Sequence, residues 1–99
     1  MKSRPRDEAM AEIFREDPAY AVALLNDILA DGDQGELLVT LRQMSKAVGG
    51  MAKLAERTQS SRTQLYHTLS ERGNPELRSL IAILETLGLR LAVQPIKAA

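Results

Sequence analysis

The chain has 99 residues, 44% of them hydrophobic but only 3% aromatic, which suits one folded domain with a core of Leu, Ile, Val, Ala and Met and argues against a disordered chain. It contains no cysteine, so a disulfide scaffold and a thiolate metal site are excluded, and a reducing cytosol fits. The net charge is zero but unevenly spread: residues 1–6 hold three bases, residues 7–36 nine acids against one base, and residues 37–99 nine bases against four acids.

In chain order, Met10, Ile13 and Phe14, with Ala9 beside them, predict a short first helix. "DPAYAVALLNDILADGD" predicts a second. Asp17 can cap it, and Pro18 suits the first helical position, where its missing N–H costs nothing. Ala21, Leu24, Leu25 and Ile28 recur at helical period, and Gly32 can close the helix in a left-handed conformation. Asp31 and Asp33 flank Gly32 but lack the ligand count of a calcium loop, so capping is the better reading. Asp33, with Glu36 three residues on, starts a third helix whose stripe is Leu37, Leu41, Met44 and Val48, joined by Leu38. Gly49 and Gly50 stop it.

Met51 to Arg57 is a short helix with Leu54 and Ala55 facing inward. Ser61 and Gln64 have capping-box spacing at the start of the next, which packs through Leu65 and Leu69 and ends near Gly73. Asn74-Pro75 repeats the cap-plus-proline start. Leu77, Leu80, Ile81, Leu84 and Leu87 then form the most apolar stripe, closed by Gly88. In "LRLAVQ" the period changes: Leu89, Leu91 and Val93 alternate with Arg90, Ala92 and Gln94 at strand spacing. A lone strand needs a partner for its backbone groups. A second copy in an antiparallel two-fold pair would supply one; the alternative is an apolar tail packed on the preceding helix. No apolar run reaches the roughly 18 residues that span a membrane, and the first residues lack the apolar core of a signal peptide. The expected location is cytoplasmic.

Residues 51–70 carry the features of a helix-turn-helix. In that motif one short helix lies across the DNA backbone and the next enters the major groove. Ala55 is the small residue where the two helices would cross, and Leu54 and Leu65 occupy apolar positions. Arg62, Thr63, Tyr66 and His67 fall on the side away from Leu65 and Leu69. Two turn positions depart from the pattern. Gln59 stands where glycine is favoured, and a non-glycine left-handed residue costs roughly 1 kcal/mol. Ser60 occupies a usually apolar position. Thr68, further along, replaces a larger apolar residue. A purely structural corner can show the same spacing.

The surrounding segments extend the comparison. "DPAYAVALLNDILADGD", "LLVTLRQMSKAVGGMAKLAERT" and "SSRTQLYHTLSERGNPELRSLIAILETLGLRLAVQP" together resemble the XRE (Cro/C1-type) helix-turn-helix family. Within it the chain is similar to the addiction-module antidote proteins, the antitoxins of toxin–antitoxin pairs. The resemblance implies an all-α, lambda-repressor-like helical bundle with extra N-terminal helices and a short C-terminal β-strand. The chain is read as residues 1–36, an N-terminal helical extension whose acidity suits contact with a basic toxin; 37–88, the helix-turn-helix DNA-binding domain; and 89–99, a strand and tail whose alternation suits dimerisation through Leu89, Leu91 and Val93. The implied function is twofold: neutralising a cognate RelE/ParE-type toxin, and repressing the shared operon as a homodimer on double-stranded operator DNA. The charge split suits both tasks, although two differing solvated faces would produce it too.

Within this frame Arg62 can bond guanine O6 and N7 with its fork. Thr63 and His67 can read bases or contact phosphate. Gln64 either caps the helix or reaches DNA, and Tyr66 either donates to phosphate or packs. Lys53, Arg57 and Ser61 would position the duplex through its backbone. A lone histidine without cysteines builds no zinc site of the usual kind, and no nucleophile or acid–base pair suggests catalysis; neither an enzyme nor a cofactor is expected. The alternatives are an XRE-type repressor without a toxin, and a helical protein-interaction module that does not bind DNA.

Overall fold

The computed structural model describes residues 3–96; Lys2 of the basic start and residues 97–99 of the predicted tail lie outside the described residues. Six helices follow one another: α1 (Ser3–Glu16), α2 (Pro18–Asp31), α3 (Gln34–Ala47), α4 (Met51–Arg57), α5 (Arg62–Thr68) and α6 (Leu77–Thr86). None of the helices among the described residues is long and apolar enough to cross a membrane.

The first helix runs further back than the stripe Met10, Ile13, Phe14 predicts. Its inner face is Asp7, Ala11 and Phe14, all buried, with Ile13 turned to solvent. These positions recur at helical spacing, but one carries a carboxylate, and a hydrophobic pattern does not register it. A single residue separates α1 from α2. Asp17 accepts a hydrogen bond from the Tyr20 amide at 3.1 Å, and Pro18 takes the first helical position. Proline disfavours helical backbone in the residue before it, so the chain must turn there. The rings of Phe14 and Tyr20 lie 6.1 Å apart across the corner.

The central element is α3, which meets α1, α2, α4 and α6. Leu38, Leu41, Met44 and Ala47 are buried on it, and so are Thr40, Arg42, Gln43 and Ser45. Asp33 caps its start through the Glu36 amide at 3.0 Å. At its end the Arg15 guanidinium donates to the Ala47 carbonyl at 2.9 Å, so a cation from α1 satisfies an orphan acceptor of α3. Val48, expected in the stripe, is the residue after the last turn and is exposed.

Three helices stop in the same way. The residue after each cap is left-handed and donates to the carbonyl three back, while the next amide reaches five back. The pairs are Gly49 to Lys46 with Gly50 to Ser45, Gln59 to Glu56 with Ser60 to Ala55, and Gly88 to Glu85 with Leu89 to Leu84. This is the Schellman arrangement, in which two orphan carbonyls are satisfied at once.

Two expectations for the C-terminal part are corrected. Asn74-Pro75 does not start the last helix, which begins at Leu77 after Glu76 with no side-chain cap. The helix is apolar on more than one side, and the core takes Ile83 and Leu84 with Leu80 and Leu87 at their flanks. Leu77 and Ile81 are left exposed. The C-terminal β-strand is absent: among the described residues there is no strand, and residues 89–96 have no regular structure. Leu89 is drawn onto the core as the last residue of the Schellman turn. The segment beyond it meets no neighbouring strand edge that could satisfy its backbone, and Val93 is 98% exposed. The rest of the fold is all-α as expected.

Candidate nucleic-acid interface

The segment α4–turn–α5 is built as the motif requires. Leu54, Ala55 and Leu65 are buried, and Ala55 has the small side chain that a close approach of α5 demands. Gln59 takes the left-handed position at φ 55°, the one such non-glycine among the described residues.

Ser60, in the usually apolar position, is satisfied locally. Its hydroxyl lies 2.7 Å from the Thr58 hydroxyl, which itself donates to the Leu54 carbonyl at 2.9 Å. A short polar chain therefore replaces the apolar contact that usually accompanies this turn. The capping box then opens α5. The Gln64 amide donates to Ser61 Oγ at 3.0 Å, and the Ser61 amide donates back to Gln64 Oε1 at 3.4 Å.

The helical turn sets which side chains of α5 face outward. At about 100° per residue, Leu65 and Leu69 define the buried side, and Thr63, Gln64 and His67 the opposite one. All three are exposed. Arg62 is exposed as well, but by the same count it falls about 20° from Leu69, so it is not on the side away from Leu65 and Leu69 as expected and is open to solvent because it stands at the first turn. Tyr66 is not on the outer side: it is half-buried, its ring packs against the core, and Lys46 Nζ lies 5.7 Å from the ring centroid. Gln64 and Ser61 are both engaged in the cap, with their outer surfaces still open to solvent.

Lys53 and Arg57 stand exposed on α4, and Arg57 Nη1 donates to Thr86 Oγ1 of α6 at 3.4 Å. Three cations, Lys53, Arg57 and Arg62, thus belong to the two motif helices, with Thr63, Gln64 and His67 supplying further hydrogen-bonding groups. Of the residues predicted to pair two copies, Leu89 packs on its own core, while Leu91 and Val93 are exposed.

Sequence reasoning missed the group that holds α5 from behind. Arg42 Nη1 donates to the Leu69 carbonyl, the cap of α5, at 2.9 Å. The same guanidinium grips Asp7 through two bonds, and Gln43 Nε2 adds a third to that carboxylate at 3.1 Å. The start of α3 approaches the loop after α5 as closely: Gln34 Nε2 donates to the Gly73 carbonyl at 3.2 Å. Gly73 itself lies so near the Thr68 carbonyl that an added Cβ would stand 1.9 Å from its oxygen. The one signal in the sequence was glycine at position 73, read there as a helix end.

The family model for probable addiction module antidote proteins matches residues 6–95. No curated protein and no solved structure matches the chain. The match spans all six helices but for the first residues of α1, and the chain belongs to this antidote family. Membership supports an antitoxin role in general and, with it, a toxin partner.

Proposed function

We propose that this antidote protein acts as an XRE-type helix-turn-helix repressor of its own operon and blocks a RelE/ParE-type toxin in the cytoplasm. The observation that carries the DNA half is the outer side of α5. Thr63, Gln64 and His67 are exposed on a helix whose other side is locked by Leu65 and Leu69, with Lys53, Arg57 and Arg62 alongside. Polar outer residues alone would also suit a solvated corner; the three neighbouring cations are what favour DNA. In the proposed complex Thr63, His67 and Arg62 read base edges, Lys53, Arg57 and Ser61 fix the register on the phosphates, and Gln64 keeps its cap.

Two copies bind a pseudo-palindromic operator, one α5 per half-site. The exposed Leu91 and Val93 are the residues we assign to contact between copies, as side chains of an irregular segment. The protein has no catalytic role in this reading. The test is a gel shift with DNA from upstream of its own gene. Specific binding should weaken steeply with salt, by about 10³-fold or more between 50 and 200 mM if six or more phosphates are contacted. Binding that does not distinguish this DNA from random duplex would overturn the repressor reading.

A further inference from the structure

Away from the motif helices the molecule has an open groove of about 770 Å³ between α1, α2 and α3, bounded at one end by the loop after α5. Its floor includes Met10, Leu24 and Val39, each half-buried in the free protein. Its rim carries Asp33, Glu36 and Glu71, all exposed and none ion-paired among the described residues. Among the described residues Arg6 is the one exposed base on the lining; Arg42 is buried and paired with Asp7. No buried side-chain polar atom among the described residues lacks a partner. No buried polar atom is therefore left stranded on the floor of the groove to orient a small ligand. What it offers is apolar surface ringed by negative charge. A second copy docking here by two-fold symmetry would set three carboxylates against three.

We infer that this groove receives a Lys- or Arg-bearing segment of the toxin, with an apolar side chain seated on Met10, Leu24 and Val39 and its cations facing Asp33, Glu36 and Glu71. This rests on the antitoxin reading above. The probe is the small protein encoded next to this chain's gene, titrated against the full-length antidote. The Glu36→Lys, Glu71→Lys double variant should bind it about 30-fold more weakly at 50 mM salt, and the deficit should shrink at high salt. A charge-matched control, Glu56→Lys with Glu85→Lys, should stay within about threefold of wild type. In hydrogen exchange the wild-type complex should protect α1, the first half of α3 and residues 70–73. That measurement decides the matter if the double variant does not fold. If wild type neither binds nor rescues growth, the antitoxin reading fails and this inference with it. If wild type binds and the double variant binds as tightly, or protection falls wholly outside the groove, the groove assignment is wrong while the antitoxin reading stands.

Discussion

Asp7 and Arg42, thirty-five positions apart, form a bidentate ion pair almost sealed from solvent: Nε donates to Oδ2 at 2.7 Å and Nη2 to Oδ1 at 3.0 Å. Their side chains are 2% and 8% exposed. The pair joins the first helix to the central one, and the remaining Arg42 nitrogen holds the end of α5. A buried pair of this kind contributes little over an apolar replacement, but removing one partner strands a charge in low dielectric. Asp7→Ala should therefore destabilise the protein by about 3–5 kcal/mol in chemical denaturation. The Asp7→Leu, Arg42→Met double variant should recover most of that loss, less the bond to Leu69. Two single losses that simply add in the double variant would refute the coupling.

Gln59 occupies a conformation that glycine adopts in the two matching turns at Gly49 and Gly88. Gln59→Gly should stabilise the fold by about 0.5–1 kcal/mol, the relief of left-handed strain less the added entropy of the unfolded chain. Thermal melting should show a rise of a few degrees. Gln59→Val should move the melting point down, because a β-branched residue tolerates positive φ least.

Gly73 is required by crowding rather than by its backbone angle. A Cβ there would overlap the Thr68 carbonyl, which is backbone and can yield only by moving the end of α5. Gly73→Ala should cost at least about 3 kcal/mol, at the upper end of overpacking penalties. At Gly32, φ is 77° and nothing lies within 4 Å of an added Cβ. Gly32→Ala should cost only about 1 kcal/mol. The order of the two melting points checks the argument.

On DNA, the roles of the motif residues separate by salt dependence. Lys53→Ala and Arg57→Ala should weaken operator and random DNA alike, each reducing the salt slope by about 1. Arg62→Ala, Thr63→Ala and His67→Ala should erase preference for the operator, about 1–3 kcal/mol where a base contact is lost. Competition gel shifts at several salt concentrations distinguish the two patterns.

Ser61 is assigned both a cap and a phosphate contact. Ser61→Ala should lower stability by about 1 kcal/mol through the lost cap. Ser61→Asp keeps a strong capping oxygen while adding a charge that phosphate repels. It should melt like wild type yet bind DNA more weakly. Equal DNA affinity for wild type and the aspartate variant would remove Ser61 from the interface.

The helices, and those of their ends that neighbours in the chain make, were legible; the end of α5 at Thr68, short of Gly73, and the start of α6 at Leu77 were not. Asp17 with Pro18, Asp33 with the Glu36 amide, Ser61 with Gln64, and the stops at Gly49 and Gly88 all act within five residues. Side-chain chemistry alone therefore predicts them. The outer residues Thr63 and His67 followed from the same local period, whereas Gln64 joins them unanticipated, and Arg62 and Tyr66 were misplaced because a helix seven residues long leaves its first turn and its flank to whatever packs there.

Tertiary structure decided everything that needs partners far apart in the chain. A carboxylate at position 7 reads as solvated until α1 docks on α3 and Arg42 meets it. The broad apolar surface of α6 leaves its buried side undetermined until α3 and α4 select Ile83 and Leu84 over Leu77 and Ile81. The alternation in "LRLAVQ" describes side chains only. A strand exists through hydrogen bonds to another strand, and no such edge stands beside this segment, so it remains irregular beyond Leu89. Local chemistry placed the helices; the desolvation of charge and the geometry of packing determined which faces meet.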